Sequence, residues 1–235
     1  MTRNKPNLLF VLADEHRRQC MGFVEDGDAV LTPHFDAFAR ESAVFNNAIV
    51  EVPVCSPSRA TLFTGKYAMH HGLHRLGAHM LKGAERHDLF SILKGHGYHI
   101  GYIGKWHITT FPHQQWRERM EERDPDFFKR EHKGPYGITY RMGQYVPPVG
   151  RPHIDYWLSG NNGSDLWQHV LFRDDPNDPE IAYEWEVDLL TRKAIEYLRD
   201  LRDKSKPFAC FVSVNPPHPG TEHDREGNVV RFNVN

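Results

Sequence analysis

Cys55 stands in the stretch VPVCSPSRATLFTG, Val52 to Gly65, directly before Ser-Pro-Ser-Arg. The sequence predicts a short helix here, with Ser56 as N-cap, Pro57 at the first helical position and Gly65 at its end. A helix mouth offers unpaired N–H groups and the positive end of the dipole, both of which favour an anion. Arg59, one turn in, adds a fixed positive charge. A thiol so placed is expected to be acidified and an anionic ligand welcomed; the plain alternative is a small buried filler. Asp14 ends the apolar run NLLFVLAD and offers either a carboxylate for a hard cation or a turn cap. Lys105 and His107 lie two apart at the end of YHIGYIGKWHI. On a strand they share one face and send Trp106 into the packing beneath, although such a pair is also compatible with a solvated edge. His218 sits between prolines in NPPHPG, as a site residue or a plain loop residue. Taken together, an acidic strand end, a helix-mouth Cys, an Arg, a Lys and two His make an anion-processing site. Oxygen coordination suggests Ca²⁺ or a similar divalent ion, and the cations and histidines suit charge developing on a sulfuryl or phosphoryl oxygen.

These residues need a frame that delivers them to one place. The apolar run before Asp14 reads as a parallel strand buried on both faces, TPHFDAFARES as a helix with Thr32 as N-cap and Pro33 first, and AVFNNAIV as a second strand. DLFSILKGHG reads as a helix closed by Gly95 or Gly97, and YHIGYIGKWHI as a strand. From Phe111 to about Glu180 the periodicity dissolves into Pro, Gly, Asp and aromatics, which marks an irregular insertion over 110–180. AYEWEVDLLTRKAIEYLRDLRDK restores a helical period, and FACFVSV is a further buried strand. Strands alternating with helices predict an α/β fold with a mostly parallel central sheet flanked by helices. In such sheets the site lies beyond the carboxyl ends of the strands, where the residues above fall.

The composition is compatible with this and excludes other classes. With 235 residues, a formal charge of -2 and 39% hydrophobic residues, the chain can bury one sizeable core. It carries no basic stripe for nucleic acid. Three cysteines, Cys20, Cys55 and Cys210, with no C-x-x-C spacing argue against a disulfide framework and a structural zinc site. The first apolar run is too short to span a bilayer and lacks a cleavage site, so neither a membrane nor secretion is expected and the compartment is read as cytoplasmic. His70, His71 and His74 in MHHGLH have metal spacing but no accompanying carboxylate, and read as polar surface. The Asn162-Gly-Ser sequon carries no meaning in a cytosolic protein.

CSPSRATLFTG resembles the C-x-P-S-R signature of the type I sulfatases of the alkaline phosphatase superfamily, in which it directs oxidation of the Cys to formylglycine. PNLLFVLADEHR resembles that family's first metal-binding strand and TPHFDAFA its following helix. GYIGKWHI matches the second signature, and PFACFVSVNPPHPG the later strand with its His. The resemblance implies that Cys55, oxidised and hydrated, is the nucleophile and touches the metal, with Asp14 and Glu15 as further metal ligands. It implies that Arg59 and Lys105 hold the formylglycine and the sulfate charge, that His107 takes the proton of the second hydroxyl, and that His218 faces the bridging oxygen. The cofactors implied are formylglycine from Cys55 and a divalent metal, Ca²⁺ with Mg²⁺ or Mn²⁺ as alternatives. The implied partners are a sulfated small molecule or glycan and a formylglycine-generating enzyme. Where many members have Asp-Asp, this chain has Asp14-Glu15. The family continues beyond the point matching Asn235 with a further Asp beside Asn or His, another Lys and a smaller subdomain. Residues 1–235 are therefore expected to be the N-terminal part of a sulfatase catalytic domain, incomplete as it stands. The alternatives are a phosphonate or phosphodiester hydrolase of the same superfamily, or an inactive fold remnant.

Overall fold

A computed structural model describes residues 5–160 and 165–220, with the backbone of 222–223 and 229–230; Asn162 lies outside the described residues. In chain order the first half carries β1 (Leu8–Asp14), α1 (Pro33–Arg40), α2 (Cys55–Thr64), α3 (Ala68–His71), α4 (Leu89–Gly95) and β2 (His99–Gly104). The second half carries α5 (Phe111–Arg123), β3 (Glu131–Lys133), β4 (Thr139–Arg141), β5 (Tyr156–Leu158), β6 (Gln168–Leu171), β7 (Glu180–Tyr183), α6 (Glu186–Glu196) and β8 (Phe208–Pro217). Among the described residues the central sheet has the order β1-β8-β2-β5, all parallel. This is the α/β architecture the alternation predicts.

Period-two alternation assigns the two cores. Tyr102 and Phe211 point to the side where α2 and α4 pack, and there Phe63, Phe90 and Trp106 close a ring cluster in which Phe63 stacks on Trp106 at 5.8 Å. Ile103 and Val212 point the other way, against Leu189, Leu190, Ala194 and Tyr197 on α6 and its following turn. Trp106 is 3% exposed, in the packing beneath the strand ends as expected.

The expected elements shift in four places. β1 is the edge strand and is not buried on both faces; Leu9 is 59% and Val11 64% exposed. AVFNNAIV forms no strand, since a strand exists only against a partner and β1's outer edge has none among the described residues. The stretch from Phe111 to Glu180 is more ordered than its composition suggests. It contributes α5, the β3–β4 and β6–β7 pairs and β5 of the central sheet, around a third core of Ile138, Met142, Tyr145, Val170 and Phe172. Finally, β2 ends at Gly104, so Lys105 and His107 follow the strand and do not alternate on it. Gly104 has φ +96, and a Cβ there would collide with the carbonyl oxygen of Ser213 on β8. Only glycine allows the chain to leave the sheet at this point with the two backbones in contact.

Candidate active site

The carboxyl ends of β1, β2 and β8 and the start of α2 meet at one end of the sheet. Cys55 is the first residue of α2, and Val54, extended and without a side-chain cap bond, takes the N-cap position expected of Ser56. Ser58 closes the first turn by donating its hydroxyl to the Cys55 carbonyl at 3.0 Å, and Gly65, at φ +65, ends the helix as expected. Ligand atoms of Asp14, Cys55 and His218 lie within 4.8 Å of one another. Lys105 Nζ stands 2.6 Å from Asp14 Oδ2, and Arg59 Nη2 stands 3.6 Å from the same oxygen. Both cations are almost fully buried.

The rest of the packing fixes these groups. Arg59 Nη1 donates to the Lys105 carbonyl and to Ser213 Oγ, each at 2.8 Å, and Tyr102 donates its hydroxyl to the same carbonyl at 2.6 Å. The backbone between β2 and His107 is thereby pinned from two elements. Tyr102 and Ser213 were not singled out from sequence. The available signal was Ser213 with Asn215, two polar residues on one face of the run FACFVSVN.

The electrostatics differ from expectation at Cys55. Its thiol is pushed above the ordinary value, first by burial and then by the Asp14 charge, with Lys105 and Arg59 pulling the other way. The expected acidification fails because burial, followed by the Asp14 charge, outweighs the pull of the two cations. The Asp14 carboxyl is opposed by burial, yet the Lys105 hydrogen bond and the charges of Arg59 and Lys105 hold it below the usual range. His107 is depressed to about 4, by burial first and then by Lys105 and Arg59, so its imidazole is neutral at pH 7. His218 Nδ1 donates to the Pro219 carbonyl at 2.7 Å, which turns Nε2 toward Glu15 Oε1 at 3.4 Å.

The site therefore brings together Asp14, Cys55, Arg59, Lys105 and His218, with His107 within electrostatic reach of four of them. Glu15 stands apart from the donor group: its side chain is half exposed, its φ is +57, and it faces His218. His71 is fully buried, bonded to Thr61 and Leu73, and so is not the polar surface expected of MHHGLH. The donors that could hold a metal are one carboxylate, one sulfur (an aldehyde-hydrate oxygen after oxidation) and one imidazole. That falls short of the six or more oxygens Ca²⁺ takes. The described residues alone therefore do not fit a tight calcium site. No described helix is long and apolar enough to cross a membrane.

A family model described as Sulfatase matches residues 6–228. The chain is 29% identical over 216 residues to the ulvan-active sulfatase of Formosa agariphila, an alignment that covers 91% of this chain and 36% of that protein. It is 31% identical over 238 residues to the endo-4-O-sulfatase of Bacteroides thetaiotaomicron, covering 91% and 43% respectively. A solved structure connected with glycosaminoglycan metabolism by Bacteroides thetaiotaomicron superposes with a TM-score of 0.73 at 28% identity, covering 93% of this chain and 46% of that one. The chain thus spans less than half the length of these relatives.

Proposed function

The chain belongs to the sulfatase family, and from that footing we propose that it supplies the nucleophilic half of a sulfuric ester hydrolase centre acting on a sulfated saccharide. The observation that carries this reading is the convergence of Asp14, Cys55 and His218 within 4.8 Å beside two buried cations. Cys55, oxidised to formylglycine by a formylglycine-generating enzyme with molecular oxygen as oxidant and then hydrated, attacks the sulfur through one hydroxyl, whose proton passes to solvent as the S–O bond to the sugar breaks. Arg59 and Lys105 hold the anionic oxygens, and charge-assisted bonds in a buried site are worth most there. His218 delivers a proton to the departing sugar oxygen. His107, held neutral by its surroundings, takes the proton of the second hydroxyl as the carbonyl re-forms and sulfate leaves. A divalent cation held through Asp14 would add charge neutralisation. Because the described donors are too few, the roles above are assigned to the chain's own residues. The names of the relatives, one ulvan-active and one an endo-4-O-sulfatase, support a sulfated saccharide as substrate class.

The test is co-expression with a formylglycine-generating enzyme, mass spectrometry of the peptide bearing Cys55, and hydrolysis of an aryl sulfate. Conversion of Cys55 to the aldehyde is expected, with turnover abolished in Cys55→Ala. A thiol that persists under co-expression would overturn the proposal.

A further inference from the structure

Glu186 opens α6 and is 4% exposed, yet no ion pair to it occurs among the described residues. Its carboxylate instead grips one residue twice: Oε2 accepts from the Asn215 backbone N–H at 3.1 Å and Oε1 from Asn215 Nδ2 at 2.9 Å. Asn215 is itself 3% exposed, and its carbonyl accepts the backbone N–H of His218 at 2.9 Å. A continuous set of hydrogen bonds thus runs from the first turn of α6 to the turn that carries the imidazole.

A carboxyl buried in this way is a poor stabiliser: burial pushes it up to about 7, and the Asn215 hydrogen bonds and the charges of Lys105 and Arg59, neither of which is ion-paired with it, offset only part of that desolvation. Proximity to the helix dipole does not account for it either. Asp188 serves that purpose in the same turn without meeting Asn215. What this carboxylate does, and a leucine in its place would not, is fix both donors of Asn215 at once. We infer that Glu186 is a positioning residue that sets where His218 stands against Cys55, acting through Asn215 and touching no substrate. This rests on the reading of His218 as a residue of the hydrolytic centre.

The geometry also indicates which substitution preserves the grip. Asn215 Oδ1 is buried without a hydrogen-bond partner. In Glu186→Gln a flip of the Asn215 side-chain amide brings that oxygen opposite the new NH2, which donates to it, while the Gln oxygen still accepts from the Asn215 backbone N–H. In Glu186→Leu both bonds disappear.

The experiment measures amide hydrogen exchange at Asn215 and His218 in the 235-residue chain, beside aryl sulfate kinetics of the aldehyde-bearing protein. Glu186→Leu is expected to speed exchange at both amides by roughly tenfold or more, with Glu186→Gln close to the parent. In the kinetics, Glu186→Leu should lower kcat by roughly ten- to a hundredfold with KM nearly unchanged, and Glu186→Gln should restore it. Should Glu186→Leu fail to fold, Asn215→Ala, which removes the Nδ2 bond alone, is expected to speed exchange at His218. Unchanged exchange at His218 in Glu186→Leu or Asn215→Ala overturns the inference, as does a Gln variant as impaired as the Leu variant. If exchange follows Glu186 while no protein hydrolyses the ester, the positioning stands and the hydrolase reading fails.

Discussion

Lys105 and Arg59 both face Asp14, at 2.6 and 3.6 Å, so their charge is engaged before any anion arrives. At Cys55 burial first and the Asp14 carboxylate second outweigh the pull of these cations, and the thiol is raised accordingly. Removing the carboxylate charge should reverse this. In Asp14→Asn the anion that raises the thiol is gone and two cations are released toward it. Alkylation of unmodified Cys55 by iodoacetamide at neutral pH, followed by peptide mass spectrometry, is expected to accelerate. Each unit by which the pKa falls raises the thiolate fraction about tenfold. An unchanged rate would mean that burial alone governs the thiol. The residue types of this centre were legible in CSPSR, GKWH and NPPHP because motif and chemistry coincide there. Their charge balance was not, since which acid stands opposite which base is settled by strands distant in sequence.

At the scale of elements, what could be read depended on how local the signal is. α1, α4, α6, β2 and β8 carry their period or apolar run within themselves and were foreseen. β5, β6 and β7 are three or four residues long and take their form from neighbours, so the composition of that stretch hid them. AVFNNAIV failed for the converse reason: an apolar run without a partner is not a strand. The junction after β2 shows how narrow such margins are. Lys105 N–H donates to Ser213 O at 2.9 Å only because Gly104 lets the chains touch. Gly104→Ala is expected to cost roughly 2–4 kcal/mol, from a strained positive φ and an overpacked contact. A thermal melt followed by circular dichroism would read this, and a loss below about 1 kcal/mol would show that the junction can relax.

Across the whole molecule, the face beside β1 is apolar and open. A groove of about 620 Å³ runs along it, lined by Leu9, Val11, Phe35, Val187 and Ile195 among others, and on α1 Phe38 is 70% exposed. An apolar sheet face left uncovered among the described residues favours association with other chains. The double variant Leu9→Lys, Val11→Lys is expected to reduce self-association in sedimentation velocity and to weaken binding of an apolar fluorescent dye. Its unfolding midpoint should change little, because exposed positions contribute little to the native state. Equal association of parent and variant would exclude this face as the contact.

The strand order β1-β8-β2-β5 also has a consequence in time. β8 follows the other three strands in sequence but stands between β1 and β2 in space, so until Phe208–Pro217 has been synthesised β2 can pair only with β5, and β1 has no partner among the described strands of this sheet. Asp14 and Lys105 cannot face each other before then, and the long loops that must close make this a late event. At ribosomal rates the interval between the emergence of Cys55 and that of β8 is roughly ten to thirty seconds. During it the start of α2 lacks the strand that later carries Ser213 and His218 against it, and Cys55 stands in a nascent segment in place of a finished pocket.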